Sequence, residues 1–252
     1  MYVIIDNTVM SIPKIIFQTF KTENLSASFQ ALVNTWKEKN PNYEYRFFND
    51  ADCDSFIRAN FDERIYNAYK RIIPGAFKAD MWRYCVLYVH GGVYADIDTI
   101  CLNPIDDFVK PGVDFMTVID ANTGIEKYTL FNTFIASVPK FSALLDCIHQ
   151  IVEHIERFVF HSYKSDFSGP GLLGKKINRY LNLPEHTSYV GKEGLHNTVY
   201  LLKFEPQTEY VKDVHNASIL LQNKNGNPMI QQLYNRECQD ANIVSWLTSR
   251  PF

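Results

Sequence analysis

The chain has 252 residues, a formal net charge of −3 and a hydrophobic share of 46%. That supply of apolar side chains supports a real core and excludes a disordered chain, while scattered basic residues argue against a nucleic-acid binder. No linker, repeat or low-complexity tract divides the sequence, so residues 1–252 read as one α/β domain.

The β-branched run from Ile12 to Gln18 reads as the first strand. Phe29, Leu32, Val33 and Trp36 follow at helical spacing, and Asn40-Pro41-Asn42 ends that helix. Tyr43 to Phe48 reads as a second strand, closed by Asn49-Asp50. Two short helices are expected over 52–60 and 62–73, and a longer one over 76–90. Gly91-Gly92 stops it, because glycine takes the left-handed cap conformation cheaply. Val93 to Ala95 is then a third strand.

Further strands are expected over 115–119, 131–137, 199–204 and 217–222, the last followed by an Asn225-Gly226 turn. The clearest helix spans 141–158, with Phe141, Leu144, Leu145, Ile148, Ile151, Val152, Ile155 and Phe158 on one stripe. That stripe is core packing and carries no chemistry. A short helix is expected over 175–181.

The 18 Phe and 15 Tyr suit ring-stacking sites, but an aromatic core explains them more simply. Cys53, Cys85, Cys101, Cys147 and Cys238 lack metal-ligand spacing and read as small buried residues of a reducing compartment. Asn24-Leu25-Ser26 and Asn216-Ala217-Ser218 match a glycosylation pattern that is common by chance. The first 14 residues lack the build of a secretory signal, and no stretch of about 20 apolar residues could span a bilayer. The expectation is a soluble, cytoplasmic protein.

Chemistry concentrates at Tyr94-Ala95-Asp96-Ile97-Asp98. Two carboxylates one residue apart at the end of a buried strand repel each other and favour protonation unless a cation lies between them. A hard divalent ion that also binds phosphate oxygens resolves the conflict. On the helix before it, Asp80, Arg83 and Tyr84 share one face by their spacing. A half-buried ion pair would explain Asp80 and Arg83 blandly. Alternatively, Arg83 offers a planar fork for phosphate or sugar oxygens, and Asp80 an acceptor for sugar hydroxyls.

The run from Phe77 to Tyr84, with Leu87 to Asp98, resembles the sugar-binding region of glycosyltransferase family 32 and the related clostridial glucosylating toxins. That family includes mannosyl- and galactosyltransferases and polysaccharide-biosynthesis enzymes. The resemblance extends to Ile12 to Thr19, Asn132 to Ser137 and Ser168-Gly169-Pro170. It implies a GT-A fold, a Rossmann-like α/β domain with a mainly parallel central sheet flanked by helices. Residues from about 12 to 110 would form the nucleotide-sugar and metal half, and those from about 111 to 252 the acceptor half. It also implies a retaining hexosyltransferase that uses Mn²⁺ or Mg²⁺ and a nucleotide sugar, with UDP-hexose such as UDP-glucose preferred over GDP-mannose. The acceptor would be a hydroxyl on a glycan or protein.

By matching position, Asp80 and Arg83 would contact the transferred sugar, and Arg83 also the diphosphate. Asp96 would touch the ribose and, through water, the metal, while Asp98 would bind the metal directly. Tyr94 would frame the nucleotide, Phe17, Gln18 and Thr19 would line the base pocket, and Asn132 would approach the sugar. The family has His where Phe17 stands and Ser where Ala79 stands. Secretory-pathway members carry a membrane anchor, so the chain resembles a bacterial-like or viral-like cytosolic enzyme. A further metal ligand is expected from His215, similar to a C-terminal histidine in some members, although a lone histidine is more often a packing or surface residue. The alternative is the tail from Asn242 to Trp246, whose Ser245 and Trp246 resemble a toxin pair placed over the diphosphate.

Asp96 to Ile100 also fits a haloacid-dehalogenase phosphatase signature, with Asp96 as nucleophile and Asp98 as acid/base. That fold starts near its motif and needs a downstream lysine and a second acidic pair. A non-catalytic nucleotide-sugar-binding module is the third reading.

Overall fold

The structure, a computed structural model, describes residues 11–120, 127–159, 161, 163–206, 208, 210–213, 218–222 and 251–252. Its strands are β1 (Ile15–Thr19), β2 (Glu44–Phe48), β3 (Gly92–Ala95), β4 (Thr99–Cys101), β5 (Phe115–Ile119), β6 (Leu130–Ser137), β7 (Gly194–His196), β8 (Val199–Glu205), β9 (Tyr210–Lys212) and β10 (Ser218–Gln222). Its α-helices are α1 (Ala27–Lys39), α2 (Asp50–Asn60), α3 (Glu63–Arg71), α4 (Gly75–His90), α5 (Ser142–Glu156) and α6 (Pro170–Tyr180). The expected α/β class is therefore observed. No helix of the described residues is long and apolar enough to cross a membrane.

One mixed sheet runs in the order β2-β1-β3-β6-β5-β8-β9-β10-β4, with β7 beside β8. β2, β1 and β3 are mutually parallel, as are β5 and β8, and β6 runs against both β3 and β5. Side chains alternate across the strands and so divide between two cores. Phe17, Tyr94, Ile135 and Leu201 pack with α2 to α6 on one face. Ile16, Val93, Ala95, Phe134 and Leu202 pack on the other, with Trp36 of α1. The chain adds β2 on one side of β1 and β3 on the other. A cleft at the carboxyl ends of such strands is the usual ligand site of an open α/β sheet.

Local chemistry sets the boundaries. Ser26 Oγ accepts from Phe29 N at 3.3 Å and starts α1, while Asn49 and Asp52 form a reciprocal cap that starts α2. Asn49 thus opens a helix as well as ending a strand. Gly91, at φ +65°, ends α4 with its N–H on Leu87 O at 2.8 Å. A Cβ there would lie 2.7 Å from Pro139 Cδ, and one on Gly92 would lie 2.8 Å from Ile15 O. The glycine pair therefore lets β3 enter the sheet directly after the helix.

Several expectations need revision. β1 begins at Ile15, because Ile12 to Lys14 only lead into it. α6 begins five residues earlier than the expected Lys175, with Pro170 in its first turn, where a missing N–H costs nothing. The stripe of α5 buries Phe141, Leu144, Ile148, Ile151, Val152 and Ile155, but Phe158 lies beyond the helix at φ +55° and is exposed. Cys53, Cys85, Cys101 and Cys147 are buried free thiols, and Cys238 lies outside the described residues.

Candidate active site

The backbone of Asp96 is fixed where β3 ends. Its N–H donates to Thr133 O of β6 at 2.8 Å. Its carbonyl accepts from Gln18 Nε2 at 3.1 Å, Thr99 Oγ1 at 2.6 Å and Thr99 N at 3.2 Å. The last bond closes a turn over Asp96 to Thr99. Ile97, between the two acids, is buried with Phe20, Phe29, Leu32 and Val33. An apolar residue thus pins the turn to α1, and Trp36 Nε1 reinforces it by donating to Thr99 O at 3.1 Å.

Tyr94 and Asp96, two residues apart, face α4 together. Tyr94 OH donates to Asp96 Oδ1 at 2.7 Å. The Arg83 guanidinium lies 4.4 Å above the Tyr94 ring. It sits 3.3 Å from Asp96 Oδ1 and 3.4 Å from Asp80 Oδ1, and it donates to Ala79 O and Asn132 O. Only 4% of Arg83 is exposed. Its fork is therefore directed at protein oxygens on every side.

Asp80 is buried as well. Its Oδ1 accepts from Asn132 Nδ2 at 2.6 Å and its Oδ2 from Ser168 Oγ at 2.7 Å. Burial pushes its carboxyl above the usual carboxylate range, Arg83 and Ser168 pull it back, Asp96 pushes again and Asn132 pulls. Burial also works against the charge of Arg83, yet Tyr94, Asp96 and Asp80 hold its pKa above its ordinary value.

The sequence-named residues thus divide. Asp80, Arg83, Tyr94, Asp96 and Asn132 form one bonded cluster, and Asp98 is buried two residues further on. Gln18 joins it through the Asp96 carbonyl and accepts from Tyr45 OH at 2.9 Å. Thr19 is half-buried beside it and donates to Phe48 O at 2.7 Å. The Phe17 ring is wholly enclosed against Phe48 and His90, so it packs the core and offers no surface to a base. His215, Asn242, Ser245 and Trp246 lie outside the described residues. Ser168, just before α6, and Tyr84 of α4 also hold the cluster, although the sequence alone assigns Ser168 no role and Tyr84 only a place on the Asp80 face. Their signal was the Ser168-Gly169-Pro170 resemblance.

Among the described residues, no group of three His, Cys, Asp or Glu side chains converges. Asp96 and Asp98 nevertheless supply hard oxygen donors on one turn, the donor type that suits Mg²⁺ or Mn²⁺ with water and phosphate completing the shell. The donor chemistry therefore fits such an ion.

Residues 26–123 match the family model described as a glycosyltransferase sugar-binding region containing a DXD motif. The matched stretch covers less than half of the chain. Asp96-Ile97-Asp98, the pair of acids central to the family 32 resemblance, lies inside it. The initiation-specific alpha-1,6-mannosyltransferase of Candida albicans is 34% identical over 104 residues, covering 39% of this chain and 27% of that protein. The inositol phosphoceramide mannosyltransferase 1 of Schizosaccharomyces pombe is 29% identical over 180 residues, covering 69% and 53%. The chain thus spans about half or less of the length of these curated relatives. Both are fungal, which lends no support to the expected bacterial-like or viral-like source. The solved PaToxG glycosyltransferase shares the fold, with a TM-score of 0.54 and 20% identity over 69% of this chain and 71% of that one. The sugar-binding region ends before Asn132 and Ser168, so the contacts on Asp80 reach beyond it.

Proposed function

We propose that this chain is a divalent-metal-dependent, retaining glycosyltransferase that moves a hexose from a nucleotide sugar to a hydroxyl on a glycan or protein. The observation that carries this reading is the meeting of Asp80, Arg83 and Asn132 with the Asp96–Asp98 turn at one end of the sheet. Mannose is the proposed hexose, because the relatives described above are named mannosyltransferases. That favours GDP-mannose over the UDP-hexose that the sequence resemblance preferred. Residues from about 111 onward are proposed to form the acceptor side of a single catalytic unit.

Asp98 would hold the ion directly and Asp96 through water. When bound, such an ion neutralises charge on the departing diphosphate. Asp80 accepts a hydrogen bond from a sugar hydroxyl. Arg83 acts through the two carboxylates it bridges, keeping both in place before the donor arrives, so the site needs little reorganisation during reaction.

Asp80 carries donors on both oxygens, and Asp96 carries two partners on Oδ1. These contacts favour orientation over nucleophilic attack and support a front-face course. The acceptor oxygen bonds to the anomeric carbon on the face the diphosphate leaves. The carbon–oxygen bond to phosphate breaks with its electron pair going to phosphate, and the acceptor proton passes to a phosphate oxygen. The test supplies GDP-mannose, UDP-glucose and UDP-galactose with and without Mn²⁺. Release of nucleoside diphosphate only with the ion is expected. A trapped glycosyl-enzyme adduct would refute the front-face course, and inorganic phosphate released from simple esters would favour a phosphatase.

A further inference from the structure

Asp80 lies on α4, but the group that fixes its outer oxygen comes from the segment before α6. Ser168 is fully buried and donates Oγ–H to Asp80 Oδ2 at 2.7 Å. Its own carbonyl accepts from Tyr84 OH at 2.8 Å, one turn along α4 from Asp80. Two bonds therefore clip this residue onto one helix face. The flanking residues are fixed too. Phe167 O accepts from His154 Nδ1 at 3.0 Å, and Gly169 N donates to Ser165 O at 3.1 Å. A Cβ on Gly169 would lie 3.4 Å from Asp80 Oδ2, so the backbone approaches the carboxylate closely.

We infer that Ser168 is a positioning residue for the donor sugar: it locks the Asp80 carboxylate in the orientation that accepts the sugar hydroxyl, and it does so from an element outside the DXD region. This rests on the transferase reading above. A carboxylate has two oxygens and turns about one bond. Asn132 and Arg83 hold Oδ1, while Ser168 holds Oδ2. Without Ser168, the described bonds hold Oδ1 alone, and rotation carries the acceptor lone pairs away from the sugar. The diphosphate and metal end of the site, built on the Asp96–Asp98 turn, keeps its own contacts.

The test compares binding of GDP-mannose with GDP, and of UDP-glucose with UDP, by calorimetry with Mn²⁺. Ser168→Ala is expected to weaken the bound sugar nucleotide about tenfold, in line with the loss of a hydrogen bond to a charged group, and to leave the matching nucleoside diphosphate within about twofold. Ser168→Cys, which keeps the volume but is a poor donor, is expected to behave alike if the alanine variant folds badly. Ser137 is equally buried and donates to Val138 O at 2.8 Å at the far end of β6, so Ser137→Ala controls for the loss of any buried hydroxyl. Its sugar-to-diphosphate affinity ratio should stay at the wild-type value. Equal weakening of sugar nucleotide and nucleoside diphosphate in Ser168→Ala, or no change in either, overturns the inference while the transferase reading stands. A wild-type protein that binds none of the four nucleotides overturns both.

Discussion

Two buried titratable clusters flank the same short segment before α6, and they solve the same problem in opposite ways. Ser168 touches the Asp80–Arg83–Asp96 cluster, while Phe167 O touches the His154–His161 pair. In the first, two carboxylates face a guanidinium. In the second, charge is given up. The Phe167 carbonyl can only accept, so His154 Nδ1 carries the proton, and its Nε2 accepts from His161 Nε2 at 3.0 Å. Burial pushes the His154 pKa down to about 4 against the opposing pull of Phe167 O, with His161, Lys176 and Lys175 lowering it further. Burial opposes charge in both places. The clusters differ in what faces them, and a buried charge kept by a guanidinium is where a polar ligand can be received.

The sharpest way to break this comparison is to remove the counter-charge. Arg83→Met leaves Asp80 and Asp96 facing each other without the guanidinium, so unfolding free energy in urea at pH 7 should fall by about 3–5 kcal/mol. Arg83→Lys should recover only part of that, because one ammonium cannot reproduce a fork directed at two carboxylates and two carbonyls. A methionine variant as stable as the wild type would mean that the charged cluster is no more costly than the neutral one.

Asp98→Asn tests the functional side of the same contrast. Its loss of transition-state stabilisation is expected to be about 3 kcal/mol, a rate reduction on the order of a hundredfold or more at saturating Mn²⁺. Stability should hold or rise, since a buried charge is removed. Initial rates of nucleoside diphosphate release, set beside a thermal melt, separate the two effects. A rate near wild type would place the ion elsewhere.

The two clusters also differ in how far they could be read from the chain. Asp80, Arg83, Asp96 and Asp98 lie within one helix–turn–strand unit, so helical spacing and the Gly91-Gly92 stop placed them together. α1 and α5 are legible because each repeats its apolar pattern over several turns, whereas α4, buried almost continuously from Asp80 to Leu87, is marked by the Gly91-Gly92 stop. β4, β7 and β9 escaped notice, because three residues give no period to read. Their pairing is long-range: β4 meets β10 more than a hundred residues later. Ser168 lies 88 positions from Asp80, and no local pattern encodes that contact. Phe17 misled because its role came from a matched family position, where the family has His, and such a match does not say that its ring is enclosed in the core.

The histidine pair makes a smaller, pH-dependent prediction. The folded state holds His154 neutral, whereas the unfolded chain takes up a proton near pH 6.5. Stability is therefore complete above about pH 6.5 and falls as pH drops toward 4, by about 2 kcal/mol. Melting temperature measured from pH 7 to 5 should decline less in His154→Gln than in the wild type. Equal slopes would show that the buried ring does not govern the acid response.

An exposed pair sets the lower bound of the comparison. Lys14 Nζ lies 2.5 Å from Asp106 Oδ2, shorter than either Arg83 contact, yet both side chains are about half exposed. Lys14 and then Tyr43 hold the Asp106 carboxyl below the usual carboxylate range, and Tyr43 OH donates to Oδ1 at 2.8 Å independently of the lysine. Water screens the charges and Tyr43 remains after truncation, so Lys14→Ala should cost about 0.5 kcal/mol or less in urea unfolding. The difference from wild type should vanish in about 0.5 M salt. If Lys14→Ala instead cost as much as Arg83→Met, distance would govern these ion pairs and burial would not.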